Sequence, residues 1–327
     1  MEYRTLGKTG LKVSEVGFGA WAIGGPAKLG DREIGWGAVN DEVSIRAVHA
    51  ALDAGVNLID TSDAYGLGHS EEVLGRALEG RRDSVIIADK FGNRVVNGEW
   101  LKDFSRTWIE QACDASLQRL KTDHIDLYQA HSAFEPEQYT DEMIETLEDL
   151  KSAGKIRHYG ISVKETAHGP GVIRRWPQLE AIQVVYSILA RQAEAELFPL
   201  AQEHDIGILA RVPLASGFLT GKFKPDVTFP PDDHRSGSYP PEKAREIVTS
   251  VEKLRFLERD GKTLAQAALQ FCLMHPAVST AIPGARNPEQ ATGNAAASDG
   301  ALLTTEEVAQ IRETVSGDVA GQTIRKP

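Results

Sequence analysis

The stretch Val56-Asn57-Leu58-Ile59-Asp60-Thr61-Ser62-Asp63-Ala64-Tyr65-Gly66 decides the fold. A run of Val, Leu and Ile stops at an aspartate, and a loop of small and polar residues carries a tyrosine five positions further on. A short apolar run bounded by turn signals reads as a buried parallel strand. The design recurs: Val85-Ile86-Ile87-Ala88-Asp89 stops at Lys90, and Ile125-Asp126-Leu127-Tyr128-Gln129-Ala130 stops at His131. Polar groups at the carboxyl ends of such strands are where a parallel α/β protein keeps its chemistry.

Working outward, strand patterns fall at 16–18, 56–59, 85–90, 125–130, 155–162, 181–185, 207–210 and 280–282. Helical patterns separate most of them, at 41–54 with Asp41 as N-cap, 71–78, 105–120, 136–152, 165–175 and 193–203, and another follows at 288–297. Residues 3–18 read as a hairpin turning at Lys8-Thr9-Gly10 and then the first strand. Eight strands interleaved with helices imply a (β/α)₈ TIM barrel with an N-terminal β-hairpin, usually about 250 residues plus insertions. A doubly wound pair of domains is the other arrangement of such units. No Pro/Ser/Gly-rich linker divides the chain, so 1–327 is expected to be a single domain. Residues 222–241, rich in Pro, Asp and Gly, read as a mobile loop over one end.

Composition is that of an ordinary globular protein, with 41% hydrophobic and 25% charged residues. A net charge of −11 argues against nucleic acid or an anionic membrane surface as partner. No apolar run approaches the ~20 residues a membrane span needs. Cys113 and Cys272 stand far apart in helical stretches, in keeping with a reducing compartment and with no metal spacing. With no secretory signal at the start, a cytoplasmic location is expected. Nothing in the sequence sets an oligomeric state.

The strand-end residues suit proton transfer. A lysine at a buried strand end needs a carboxylate to stay charged, and Asp60 is placed to provide it. A charged Lys90 beside Tyr65 is expected to lower the phenol pKa from about 10, making Tyr65 a general acid. His131 is placed to hydrogen-bond a substrate carbonyl. Read singly, these residues fit a loop cap, a packed lysine stem and a structural histidine equally well. A metal-dependent hydrolase is disfavoured, because Lys90 and Tyr65 are poor metal ligands.

Gly17-Phe18-Gly19-Ala20-Trp21-Ala22 superficially matches a dinucleotide fingerprint, but Gly24, Gly25 and Pro26 follow and no helix can open. A strand-end loop with close backbone approach fits better. After the last strand, Gly284-Ala285-Arg286-Asn287-Pro288-Glu289-Gln290 opens a helix, with Asn287 as cap and Pro288 at its first position. Arg286 there suits a phosphate, or is a solvated arginine on an ordinary capped helix. Leu214-Ala215-Ser216-Gly217-Phe218-Leu219-Thr220-Gly221-Lys222 lets backbone amides approach an anion. Trp21, Trp36 and Trp100 line an apolar pocket or simply pack.

These motifs, in this order, resemble the aldo-keto reductases over nearly the whole chain, from Tyr3 to about Asn294. Supporting ones are Arg4-Thr5-Leu6-Gly7, Gly160-Ile161-Ser162, Gln183-Val184-Val185-Tyr186-Ser187, Pro213-Leu214-Ala215-Ser216-Gly217 and Ile282-Pro283-Gly284-Ala285-Arg286. Within the family, the chain looks closest to the bacterial branch that also resembles potassium-channel β subunits. The resemblance implies a barrel that binds NADPH, or NADH, without a Rossmann fold or a metal, and reduces aldehydes and ketones reversibly. Its catalytic tetrad falls on Asp60, Tyr65, Lys90 and His131. Ser162 and Gln183 would hold the nicotinamide carboxamide, with Gly19, Trp21 and Arg211 at the same end. Leu214, Ser216, Gly217, Leu219 and Lys222 would border the pyrophosphate. Gly284, Arg286, Gln290 and Asn294 would meet the adenosine end, and Arg286 favours NADPH over NADH. Trp21 and Trp100 would also line the pocket for a small carbonyl or alcohol substrate.

Three positions depart from the family pattern. Val163 follows Ser162 where many members have Asn, and Gly293 stands where an acidic residue is common. Arg211 replaces the aromatic that stacks on the nicotinamide; its charge is expected to favour the reduced cofactor and carbonyl reduction. The family's other role, a redox-sensing accessory subunit with little turnover, is the rival reading. A filled tetrad and the lack of a long segment before Tyr3 favour the enzyme.

Overall fold

Each apolar run becomes a strand of one parallel sheet in a computed structural model that describes residues 1–29, 32–259 and 261–319. The strands are β1 (Phe18–Gly19), β2 (Leu58–Asp60), β3 (Ile86–Phe91), β4 (Ile125–His131), β5 (Ile156–Ser162), β6 (Ala181–Val185), β7 (Gly207–Arg211) and β8 (Val278–Ile282), paired in chain order. Bridges Val16–Ala281 and Gly19–Gly284 join the two outermost strands. There the Gly17 and Gly19 amides donate to the carbonyls of Ala281 and Pro283 at 2.8 and 2.9 Å. The eight-stranded (β/α)₈ barrel expected from the sequence is the architecture observed.

Helices α1 (Asp41–Asp53), α2 (His69–Ala77), α3 (Arg106–Leu120), α4 (Asp141–Ser152), α5 (His168–Arg175) and α6 (Leu197–Glu203) connect successive strands through β7. Three helices lie between β7 and β8: α7 (Arg235–Ser238), α8 (Pro241–Glu252) and α9 (Leu264–Met274). After β8 come α10 (Pro288–Ala295), which packs on α1, and α11 (Thr305–Thr314). No helix among the described residues is long and apolar enough to cross a membrane. The main core lies between sheet and helices, and both cysteines are buried in it. Burial raises the Cys113 thiol pKa to about 12, which leaves it an inert packing group.

A second core fills the barrel: Leu6, Val13, Leu58, Ala88, Leu127, Ala181, Leu209 and Ile282. Leu6 follows the first strand of the N-terminal hairpin, Tyr3–Thr5 paired with Lys12–Ser14, and is fully buried. It lies so close to the start of β7 that a Cβ on Gly207 would come 2.5 Å from its Cδ1. The hairpin therefore stoppers the amino ends of the strands and leaves their carboxyl ends for chemistry.

Several local expectations are corrected. Asn40, not Asp41, caps α1, its Oδ1 accepting from the Val43 amide at 3.0 Å. Thr140 caps α4, so the pattern at 136–152 splits into a short turn and a helix. A hairpin of Asn93–Val96 with Glu99–Lys102 stands between β3 and α3, a stretch to which the sequence reading assigned no element. Asn97 and Gly98 form its turn with φ of 53° and 81°, the left-handed pair that Asn-Gly favours. The irregular segment 222–241 contains α7 and a bridge between Trp36 and Asp233. Of the single domain expected at 1–327, residues 30, 31, 260 and 320–327 lie outside the described residues.

Removing the stopper should cost stability without touching the opposite end. Leu6→Ala is expected to lower unfolding free energy by about 2–5 kcal/mol. The measurement is a lower urea midpoint with an unchanged m-value.

Candidate active site

Parallel pairing brings the strand-end residues onto one rim. Gly19 pairs with Asp60, Gln129 with Lys90, His131 with Ser162, and Ser162 with Gln183. Asp60, Tyr65, Lys90 and His131 thus converge from β2, the loop after it, β3 and β4. The Tyr65 loop is held by a close backbone contact. Gly66 sits at φ 64°, and a Cβ there would come 2.0 Å from the Gly24 carbonyl oxygen. Only glycine fits that approach. Trp21 stacks on Tyr65, with ring centroids 5.9 Å apart and planes at 22°.

Lys90 is the centre of the tetrad and is fully buried. Its ammonium donates to Asp60 Oδ1 at 2.7 Å, the Thr61 carbonyl at 2.7 Å and the Tyr65 hydroxyl at 3.3 Å. Asp60 Oδ2 accepts from Gln183 Nε2 at 2.6 Å, and Gln183 Oε1 accepts from Ser162 Oγ at 3.3 Å. Burial works against the Lys90 charge, but Asp60 and Tyr65 together outweigh it and hold its pKa above the ordinary value. Tyr65 departs from expectation. Burial raises its pKa, and Lys90 offsets only part of that rise, to which Asp60 adds, so the phenol stays protonated.

His131 is half-buried, and its Nδ1 lies 2.9 Å from both Ser62 Oγ and Asn93 Nδ2. Burial, then Lys102, Lys90 and Arg211, push its pKa well below the usual histidine value, so the ring is neutral. Behind it, burial and Glu71 raise the Asp63 carboxyl to about 6. Lys102, lowered to about 7 by burial, donates to the His131 carbonyl at 2.5 Å. Trp100 lies beside this group and donates to Asn93 Oδ1 at 3.0 Å. Asn93, Lys102 and Asp63 were not singled out from the sequence. The Asn97-Gly98 dipeptide, an Asn-Gly turn signal, is what could have found their hairpin.

At the cofactor end the expected residues share the same rim but are engaged with one another. The Arg211 guanidinium donates to the Val163 carbonyl at 3.1 Å, and its buried Nε has no hydrogen-bond partner among the described residues. Val163 itself is buried in the core. Ala215, Ser216 and Gly217 all adopt positive φ, of 46°, 55° and 92°. The Gly217 and Leu219 amides, expected to face an anion, instead donate to the Leu214 carbonyl at 2.9 and 3.2 Å. Asn287 caps α10 as expected, accepting from the Gln290 amide at 2.9 Å. Gln290 Oε1 accepts from the Arg286 amide at 2.9 Å, and Asn294 Nδ2 donates to the Gly284 carbonyl at 3.3 Å. Arg286 donates to the Ala38 carbonyl at 2.5 Å. Lys222 is exposed, and desolvation together with the nearby Arg235 and Arg286 lowers its pKa. Those three cations, of which Arg235 was overlooked and is ion-paired with Asp233 at 2.6 Å, lie together on a side suited to phosphate.

The ion pair gives a stability test. Lys90→Met leaves Asp60 as a buried unpaired charge and is expected to cost about 3–5 kcal/mol. Adding Asp60→Asn should restore part of it, read by denaturant unfolding of the single and double variants.

The comparisons agree with the fold. The family model of the Aldo/keto reductase family matches residues 15–316. Aldo-keto reductase YhdN of Bacillus subtilis (strain 168) is 36% identical over 296 residues, covering 89% of this chain and 86% of the relative. Aldo-keto reductase AKR11C1 from Bacillus halodurans, in its holo form, superposes with a TM-score of 0.78 at 34% identity over 97% of both chains. An aldo-keto reductase from Klebsiella pneumoniae in complex with NADPH gives 0.71 at 28% identity, over 95% of this chain and 94% of that one. With the barrel, the rim and the sequence in accord, the chain belongs to the Aldo/keto reductase family of oxidoreductases.

Proposed function

We propose that the protein is an NADPH-dependent reductase of aldehyde and ketone carbonyls, reversible toward alcohol oxidation, with Tyr65 as general acid. The observation that carries this reading is the buried Lys90 ammonium bound at once to Asp60, Thr61 and the Tyr65 hydroxyl. Residues 1–327 act in this reading as one domain.

The residues present fit a dinucleotide with phosphates. Ser162 and Gln183 offer a hydroxyl and an amide to the carboxamide, beside Gly19, Trp21 and Arg211. The left-handed turn at 215–217, bordered by Leu214 and Leu219, would hold the phosphates by giving up its internal amide bonds to the Leu214 carbonyl. Lys222, Arg235 and Arg286 answer its charge, and Gly284, Gln290 and Asn294 border the adenosine end. Their cationic field favours NADPH, and its mutual repulsion falls when phosphate enters. NADH remains a usable cofactor, since only the extra phosphate distinguishes the two. When bound, the reduced nicotinamide supplies a hydride.

The chain's own part is proton delivery and orientation. A raised pKa keeps Tyr65 protonated at neutral pH, as a general acid must be. The carbonyl oxygen, gaining charge as it is reduced, becomes more basic than the phenol and takes its proton. Lys90, at 3.3 Å, then stabilises the phenolate. Asp60 keeps that ammonium charged, and His131 hydrogen-bonds the carbonyl. Trp21, over Tyr65, and Trp100 wall the substrate space.

Oxidation of NADPH and NADH over a panel of aldehydes and ketones tests this reading. Multiple turnover is expected, faster with NADPH. No turnover with any carbonyl would leave the accessory-subunit role. Tyr65→Phe is expected to lower kcat by at least about 10²-fold while NADPH binding, read by fluorescence, is unchanged. Arg211→Tyr should shift the ratio of the dissociation constants for NADP⁺ and NADPH toward the oxidised form; an unchanged ratio removes Arg211 from that role.

A further inference from the structure

We propose that Asn93 is a positioning residue: it holds His131 in the tautomer whose proton is on Nε2, aimed at the substrate carbonyl. This rests on the carbonyl-reductase reading and adds the group that orients its histidine. A neutral imidazole has a single N–H, so one ring nitrogen donates and the other only accepts. Which one carries the proton decides whether His131 meets a carbonyl oxygen with a donor or with a lone pair.

The surroundings of Asn93 leave little freedom. It is 7% exposed, and its Oδ1 accepts from Trp100 Nε1 at 3.0 Å and Lys102 Nζ at 2.6 Å. An indole N–H can only donate, so the oxygen of the amide must face Trp100. The amide nitrogen therefore faces the other way, donating to Asp63 Oδ1 at 3.1 Å and lying 2.9 Å from His131 Nδ1. Its two hydrogens serve one neighbour each, and a donor at that distance requires a lone pair on Nδ1. The proton is then on Nε2, which has no hydrogen-bond partner among the described residues.

Ser62 alone does not make this choice. Its Oγ lies 2.9 Å from the same Nδ1, donates to Asp63 Oδ1 at 3.0 Å and accepts from the Ala64 amide. With its proton given to Asp63, the hydroxyl would accept an Nδ1–H as readily as it would otherwise donate to a bare Nδ1. Of the two groups on Nδ1, only the pinned amide discriminates. Lys102 also donates to the His131 carbonyl, so the hairpin grips both the backbone and the ring of the histidine.

Asn93→Asp tests the idea with a near-isosteric change. A carboxylate still accepts from Trp100 and Lys102, shares a proton donated by the Asp63 carboxyl that the amide used to meet, and presents an acceptor to Nδ1. Long-range ¹H–¹⁵N spectra of histidine-labelled, cofactor-free protein identify the protonated nitrogen of His131 without any turnover. Expected are Nε2–H in the unaltered protein and Nδ1–H in Asn93→Asp, with kcat lowered about tenfold or more and the NADPH dissociation constant unchanged. Nδ1–H in the unaltered protein overturns the proposal even where the variant fails to fold. So does an Nε2–H tautomer retained in Asn93→Asp, or a switched tautomer with kcat intact. Absence of turnover with every carbonyl would count against the reductase reading and leave the tautomer result standing.

Discussion

The site depends on keeping one ammonium charged where water cannot reach it. Burying a lone ammonium is prohibitive unless its charge and its three donors are all satisfied. Lys90 meets the condition with a carboxylate from β2, the next backbone carbonyl and a phenol from the following loop. Each partner is held in turn. Asp60 shares its second oxygen with Gln183 on β6, and the Tyr65 loop is pressed against Gly24 at a position only glycine tolerates. Strand order, loop contact and proton chemistry are therefore consequences of one desolvated charge.

The departures at Val163 and Arg211 belong to a single arrangement. The Val163 side chain turns into the core while its carbonyl takes the guanidinium. The cation at the end of β7 also contributes to keeping His131 neutral. Substitutions that look separate along the chain thus set one electrostatic environment.

The barrel, and the convergence of Asp60, Tyr65, Lys90 and His131 on one rim, were legible in sequence because both follow from where apolar runs end. Val56 to Asp60 carries its strand and its terminal carboxylate in adjacent letters. Asn40 and Asp41 are both competent caps, and only the backbone geometry separates them. The Tyr65 pKa misled because its sign balances burial against the pull of Lys90, and depth is not written in neighbouring residues. Asn93 and His131 meet across two strands, so no spacing announces them, and the Asn97-Gly98 turn signal for the hairpin that joins them went unread. Arg235 was obscured by the Pro- and Asp-rich segment around it, whose order comes from tertiary contacts such as that between Trp36 and Asp233.

The hairpin between β3 and α3 carries Asn93, Trp100 and Lys102 on a single short module. On the reading proposed above, the hairpin that would wall the substrate space would also set which face of the histidine ring carries the proton. In evolutionary terms, that would make selectivity and catalytic competence linked traits. A lineage or an engineer exchanging this loop to admit a different carbonyl inherits a new histidine setting with it, unless an amide is kept at its first position.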